Sequence, residues 1–181
     1  MKAKIFVMLF AVLLVAGSIS FAGDQKPFKG WVQQVDTRLM TEAEARSYEF
    51  LDGVINSHDP NLLYPYGGML FTIYKGVNNV GGASIHENAQ VFYIKPDFSG
   101  LEFYEASTVT VANGDQIFIT VEGIFDFTTG TWTAADTVVG GTGRFEGAAG
   151  SLTVWPSVDS HGQDTIVLDG YVTTVGKAKK Q

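Results

Sequence analysis

The chain has 181 residues, with 12 basic and 19 acidic side chains, 21 glycines and no cysteine. Its length suits one ordinary domain. The acidic balance argues against a surface that holds nucleic acid by neutralising phosphates, and the lack of cysteine excludes disulfides, thiolate zinc sites and iron–sulfur clusters.

Residues 1–22 read as an export signal. Lys2 and Lys4 form a short basic start, Ile5 to Val15 is an unbroken apolar run, and Ser20-Phe21-Ala22 places small residues three and one before a cleavage point. At about 11 residues the run is shorter than the roughly 20 that a membrane-spanning helix needs. The expected mature chain is therefore one domain over residues 23–176, without a membrane span, followed by a loose basic tail at 177–181. It is expected in the periplasm or secreted.

The mature chain reads as all-β. A first strand is expected from Phe28 to Val35. Thr41-Glu42-Ala43-Glu44 then has the form of a capping box, and Met40, Ala43, Leu51, Val54 and Ile55 recur at helical spacing. Residues 41–52 are accordingly predicted as a short surface helix, either a lid over a barrel mouth or, more plainly, a packed connection. His58-Asp59-Pro60-Asn61 reads as a turn.

From residue 69 onward, short runs of β-branched and aromatic residues alternate with turn residues. Strands are predicted at Met69–Tyr74, Ala89–Lys95, Leu101–Ala112, Gln116–Phe127, Thr131–Val139, Ser151–Trp155 and Thr165–Val175. The breaks fall at Lys75-Gly76 with Asn78-Asn79, at Pro96-Asp97, at Thr129-Gly130, at 140–150 and at 159–164. Asn113-Gly114 is the strongest hairpin signal and predicts a type I′ turn; Thr128-Thr129-Gly130 predicts another. About eight strands with short connections suggest a meander closed into a small antiparallel barrel, or a sandwich.

The most specific motif is Val138-Val139-Gly140-Gly141-Thr142-Gly143-Arg144-Phe145-Glu146-Gly147-Ala148-Ala149-Gly150. It lacks the Gly-Lys-Ser/Thr ending of a phosphate loop, and Glu146 occupies the third glycine of a dinucleotide fingerprint. A structural role fits better. The glycines permit sharp turns and close strand approach, Phe145 can plug a barrel interior, and Arg144 is expected on a carboxylate or on strand-end carbonyls.

This segment resembles the signature of the dirigent and allene oxide cyclase superfamily, and the Asn113-Gly114 turn ahead of it is similar to that of exported bacterial proteins carrying the same glycines. The resemblance spans roughly residues 70–175. It implies an eight-stranded antiparallel barrel with an apolar cavity and, in the plant families, a homo-oligomer, typically a trimer. The plant members steer radical coupling or ring closure. At Gly76-Val77-Asn78-Asn79-Val80-Gly81 the family turn usually carries Thr-His, replaced here by Asn78-Asn79.

Chemistry-bearing residues are sparse. His58, His86 and His161 stand apart, without the i, i+2 or i, i+4 spacing of a metal pair. Asp159-Ser160-His161 with Asp164 reads as a solvated loop more readily than as a cation site. No nucleophile elbow or cofactor motif is present. Carboxylates within strands draw attention because burial is costly unless they are paired or used: Glu105, Glu122, Asp126 and Asp169. On Gln116–Phe127, Ile117, Ile119, Val121 and Phe125 share one face, and Phe118, Glu122 and Asp126 the other. If the second face lines a lumen, Glu122 and Asp126 are placed for acid–base work; otherwise they form a wet outer surface, the plainer reading.

Aromatic residues occur in nearly every strand. Phe103, Phe118, Trp132 and Phe145 are the candidate ligand contacts, and Tyr64, Tyr66 and Phe71 the candidate gate. The leading expectation is a non-enzymatic barrel binding a small apolar molecule, with no cofactor and no metal. The alternatives are a cofactor-free cyclase or isomerase (or dirigent-like scaffold) using Glu122, Asp126 or Asp169, and a self-associating structural envelope protein.

Overall fold

The computed structural model describes residues 24–64, 68–158 and 161–174. The expected export signal and basic tail lie outside these residues, as do Tyr66, Asp159 and Ser160. Eight strands form a closed antiparallel barrel in simple sequence order. They are β1 (Asp24–Leu39), β2 (Met69–Asn78), β3 (Gly82–Ile94), β4 (Gly100–Val111), β5 (Gln116–Asp126), β6 (Thr131–Gly141), β7 (Gly150–Val158) and β8 (Asp164–Thr174). β1 pairs with β8 to close the cylinder, which leaves no free sheet edge around most of the wall.

The meander is the expected one, with longer strands at its start. Lys75-Gly76 does not break the chain but continues β2, and β3 begins at Gly82 rather than Ala89. In β1 the register slips between Gln34 and Asp36. One extra residue there reverses the alternation, so that Gln34 and Thr37 both reach the lumen. The Asn113-Gly114 hairpin is tight, but it is not type I′. Only Gly114 has positive φ, and its N–H donates to the Val111 carbonyl (2.8 Å) in a longer loop.

Between β1 and β2, the predicted single helix is two: α1 (Glu42–Arg46) and α2 (Glu49–Ser57). The capping box forms as expected, with Glu44 N–H donating to Thr41 Oγ1 (3.2 Å) and Thr41 N–H to Glu44 Oε2 (2.8 Å). Ser47 Oγ donates to the Glu44 carbonyl (2.6 Å) at the break between the two. Neither helix is a lid. Leu51 and Val54 pack with Ala89, Val91 and Tyr93 on the outside of β3. His58 pins the end of α2 to the same wall, stacked on Tyr93 (4.5 Å between centroids) with Nε2 3.1 Å from the Tyr104 hydroxyl. A short 3-10 turn, Pro60–Leu62, follows. Among the described residues no helix is long and apolar enough to cross a membrane.

Candidate functional site

Alternation along each strand decides what enters the barrel. On β5 it is the face of Ile117, Ile119 and Val121 that turns inward, all three being buried. This places Glu122, Asp126 and Phe118 outside. Glu122 is exposed beside Tyr104 of β4, its direct cross-strand neighbour. Asp126 is spent on its turn: Oδ1 accepts from the N–H groups of Thr128 (2.7 Å) and Thr129 (3.0 Å), which hold its carboxyl below the ordinary value. Phe118 lies 36% exposed across from Gly140. Asp169 is also outside, 3.6 Å from Lys29 Nζ. None of the three carboxylates expected to carry chemistry reaches the lumen, because each shares parity with its strand's outer residues.

The barrel interior is a cup in three layers. The floor is the end at which the glycine segment crosses. A 3-10 turn, Gly143–Phe145, drives Phe145 into the axis with 0% exposure, where it packs with Phe28, Ile117, Leu152 and Val172. The loop is anchored from β5's hairpin by Asp115, which receives Arg144 N–H (3.4 Å) and lies 3.5 Å from Arg144 Nε; the Arg144 guanidinium also sits over the Phe145 ring (4.8 Å). Gly143 has φ +57°, and a Cβ there would run into the Asp115 carboxylate. Gly140 and Gly141 end β6, Gly150 opens β7, and Gly147 lies between them in the same crossing. Phe145 therefore seals the cup rather than lining its cavity.

Above the floor lies a polar belt. His86 is 4% exposed with Nε2 3.1 Å from Ser84 Oγ, and burial lowers its pKa to about 4, which keeps it neutral. Glu105 points inward from β4. It accepts from Gln90 Nε2 (2.7 Å) and Asn88 Nδ2 (2.8 Å). Those amides are held in turn by Thr72 Oγ1, donating to Gln90 Oε1 (3.1 Å), and Ser107 Oγ, donating to Asn88 Oδ1 (2.8 Å). Glu105 is part-buried, and it lines the lumen. Burial raises its pKa to about 7 against the pull of the two amides.

Asp136 faces the same space from β6. It is 5% exposed, and its Oδ1 has no hydrogen-bond partner. Its cross-strand neighbours, Val121 and Leu152, offer no side-chain donor. Burial, and next the Glu105 charge, raise its pKa to about 8. Glu105 and Asp136 border an inner chamber of about 60 Å³.

This chamber opens into a mouth cavity of about 820 Å³. Its aromatic wall is a chain of three rings, with Phe92–Phe103 centroids 6.3 Å apart and Phe103–Trp132 6.4 Å apart. The far end of the Phe103 ring lies over Gly123, its partner on β5, where a Cβ would collide with it. Tyr64, Phe125 and Phe127 complete the rim. Phe71, by contrast, faces outward beneath the Arg38 guanidinium (4.8 Å). Next to Trp132 the wall is thin, since β6 and β7 pair only from Ala135↔Thr153 to Val138↔Gly150.

Of the four aromatic residues expected at a ligand, Phe103 and Trp132 line the cavity, Phe118 faces outward and Phe145 closes the floor. Asp136 went unnoticed, although it is in phase with Trp132, Ala134 and Val138; Glu105 is in phase with Leu101, Phe103, Val109 and Val111. An acid in step with a strand's apolar face is the signal that marks both. No protein-family model matches the chain, and no curated protein matches it either.

Proposed function

We propose that this protein is a small-molecule binding barrel that holds a flat, largely apolar ligand in its mouth cavity. The observation that carries this reading is a cup sealed at one end by Phe145 and open at the other into about 820 Å³ of aromatic-walled space. Small barrels whose side chains do not fill the interior take ligands in this manner. The glycine segment's resemblance to the dirigent and allene oxide cyclase superfamily supports the same reading, and the leader-like residues 1–22 support a place outside the cytoplasm. Nile red, an uncharged apolar dye, tests it: blue-shifted emission with one-to-one stoichiometry is expected. Leu101→Trp, which fills the mouth from β4, weakens that binding at least tenfold; unchanged affinity in this variant would refute the reading.

A second reading, a cofactor-free isomerase or cyclase, is favoured by Glu105 and Asp136. Both face open volume and both titrate near neutrality, the range in which a carboxyl can give and take a proton. Uptake of deuterium from D2O into the native ligand, dependent on Asp136, distinguishes catalysis from carriage.

A further inference from the structure

The cavity's charges are one-sided. Three carboxyls face it, Glu105 and Asp136 at the bottom and Asp164 at the rim, and among the described residues no lysine or arginine lines either chamber. His86 is the nearest base, and it is neutral. The outer wall is different, for there Asp169 meets Lys29 and Glu44 meets Arg38. Glu105 at least has its two amide donors. Asp136 borders the inner chamber and has a buried carboxylate oxygen with no hydrogen-bond donor, a costly arrangement for a buried polar atom. The missing partner is a hydrogen-bond donor, and beside two acids the favourable donor carries positive charge. Above this spot stand Phe103 and Trp132, whose ring faces also attract cations.

We propose that the lumen recognises a protonated organic amine on a flat apolar body, with the ammonium in the inner chamber donating to the Asp136 carboxylate beside Glu105 and the body against Phe103 and Trp132. This rests on the binding-barrel reading and names its ligand class. The inner chamber, at about 60 Å³, suits an ammonium group, while the mouth has room for the body. A carboxyl that holds its proton when the cup is empty releases it to water when the ammonium arrives, so uptake is linked to pH. The groups that face the site are Glu105 from β4, Asp136 from β6, His86 from β3, Tyr74 from β2 and, at the rim, Asp164 from β8; β1, β5 and β7 present Val32, Ile119, Val121 and Val154.

Three probes with one body test it: 2-(2-naphthyl)ethylamine, the matching alcohol, and the carboxylate of equal length, each titrated by displacement of Nile red. The amine is expected to bind at least about tenfold more tightly than the alcohol, the usual scale for a charge-assisted hydrogen bond, and the carboxylate more weakly than either. Amine affinity rises between pH 6 and pH 8.5, where the carboxyls lose protons while the amine keeps its own. Asp136→Asn collapses the amine-to-alcohol ratio to below about threefold, whereas Glu122→Gln on the outer wall preserves it. Equal affinity for amine and alcohol, a preference that survives Asp136→Asn, or amine affinity that falls as pH rises would overturn the cation site; dye binding in those experiments would leave the apolar cavity standing. If neither Nile red nor any naphthyl probe binds, the cavity reading falls and the amine site with it.

Discussion

The two ends of the barrel are made from the same eight strands and finish in opposite ways. At the floor, the connection from β6 to β7 folds inward, and Phe145 fills the axis among fully buried aliphatic side chains. At the mouth, the helices α1 and α2 of the longest connection pack along the outside of β3 and β4, and among the described residues of that connection Tyr64 stands at the rim. The difference teaches that packing stabilises this barrel from one end, while the other end is free to carry polar groups and empty space. The largest test of that division is a pair of truncations. Phe145→Ala should cost about 3–5 kcal/mol, the range for emptying a fully buried aromatic site. Trp132→Ala, at the half-open mouth, should cost about 1 kcal/mol. Urea unfolding measures both, and equal costs would erase the distinction between the ends.

The belt between them should show itself in the pH dependence of stability. In the unfolded chain both carboxyls ionise near about pH 4. Within the barrel Glu105 keeps its proton up to about 7 and Asp136 up to about 8. Over that interval the folded state binds more protons than the unfolded one, so the contribution is fully present below about pH 4 and is lost as pH rises through the folded values. Stability should therefore fall on the order of a few kcal/mol between about pH 4 and pH 8 and level off above. The double variant Glu105→Gln with Asp136→Asn should flatten that slope. A slope unchanged in the variant would place its source outside the lumen.

How much of this was legible follows from what alternation can carry. Val109 to Val111 and Ile117 to Ile119, flanking Asn113-Gly114, announce a hairpin whatever the final fold. The glycines from 140 to 150 announce a crossing, because few other functions need so many backbone freedoms in a row. Pairing register is harder to read: Lys75-Gly76 has the composition of a turn, yet it sits mid-strand in β2 against Gly76's partner Val32. Which face turns inward is decided by the whole wall and not by a single strand, and that is why the sequence reading offers Glu122, Asp126 and Asp169 for chemistry and passes over Glu105. Aligning several strands by their apolar parity would have picked out Glu105 and Asp136. The seat of the two helices was illegible for another reason. Met40, Leu51 and Val54 specify an apolar helix face but not which sheet surface receives it.

The floor also depends on backbone geometry that the mouth does not require. Gly143→Val forces a branched residue to φ +57° against Asp115, and should destabilise the protein by about 1–3 kcal/mol. The same change should loosen Phe145, so near-ultraviolet circular dichroism of the aromatic core weakens along with the melting temperature. An unaltered melt would mean that the crossing tolerates a different path and that the floor is held by Phe145 packing alone.

The smallest expected effects lie outside the barrel, where its two ends cease to differ. Asp169 faces Lys29 towards the floor, and Glu122 stands beside Tyr104 towards the mouth; both are in contact with water. Exposed ion pairs contribute at most about 1 kcal/mol and often much less. Asp169→Asn and Glu122→Gln should each change stability by less than about 0.5 kcal/mol and leave Nile red affinity within about twofold. The contrast with Asp136 follows from geometry: an acid on the outer wall exchanges one set of waters for another, whereas an acid in the lumen has only the lumen's contents to answer it. A cost above 1 kcal/mol at Asp169 would show that the Lys29 strand, and so the β1–β8 closure, leans on charge more than on the pairing of its backbones.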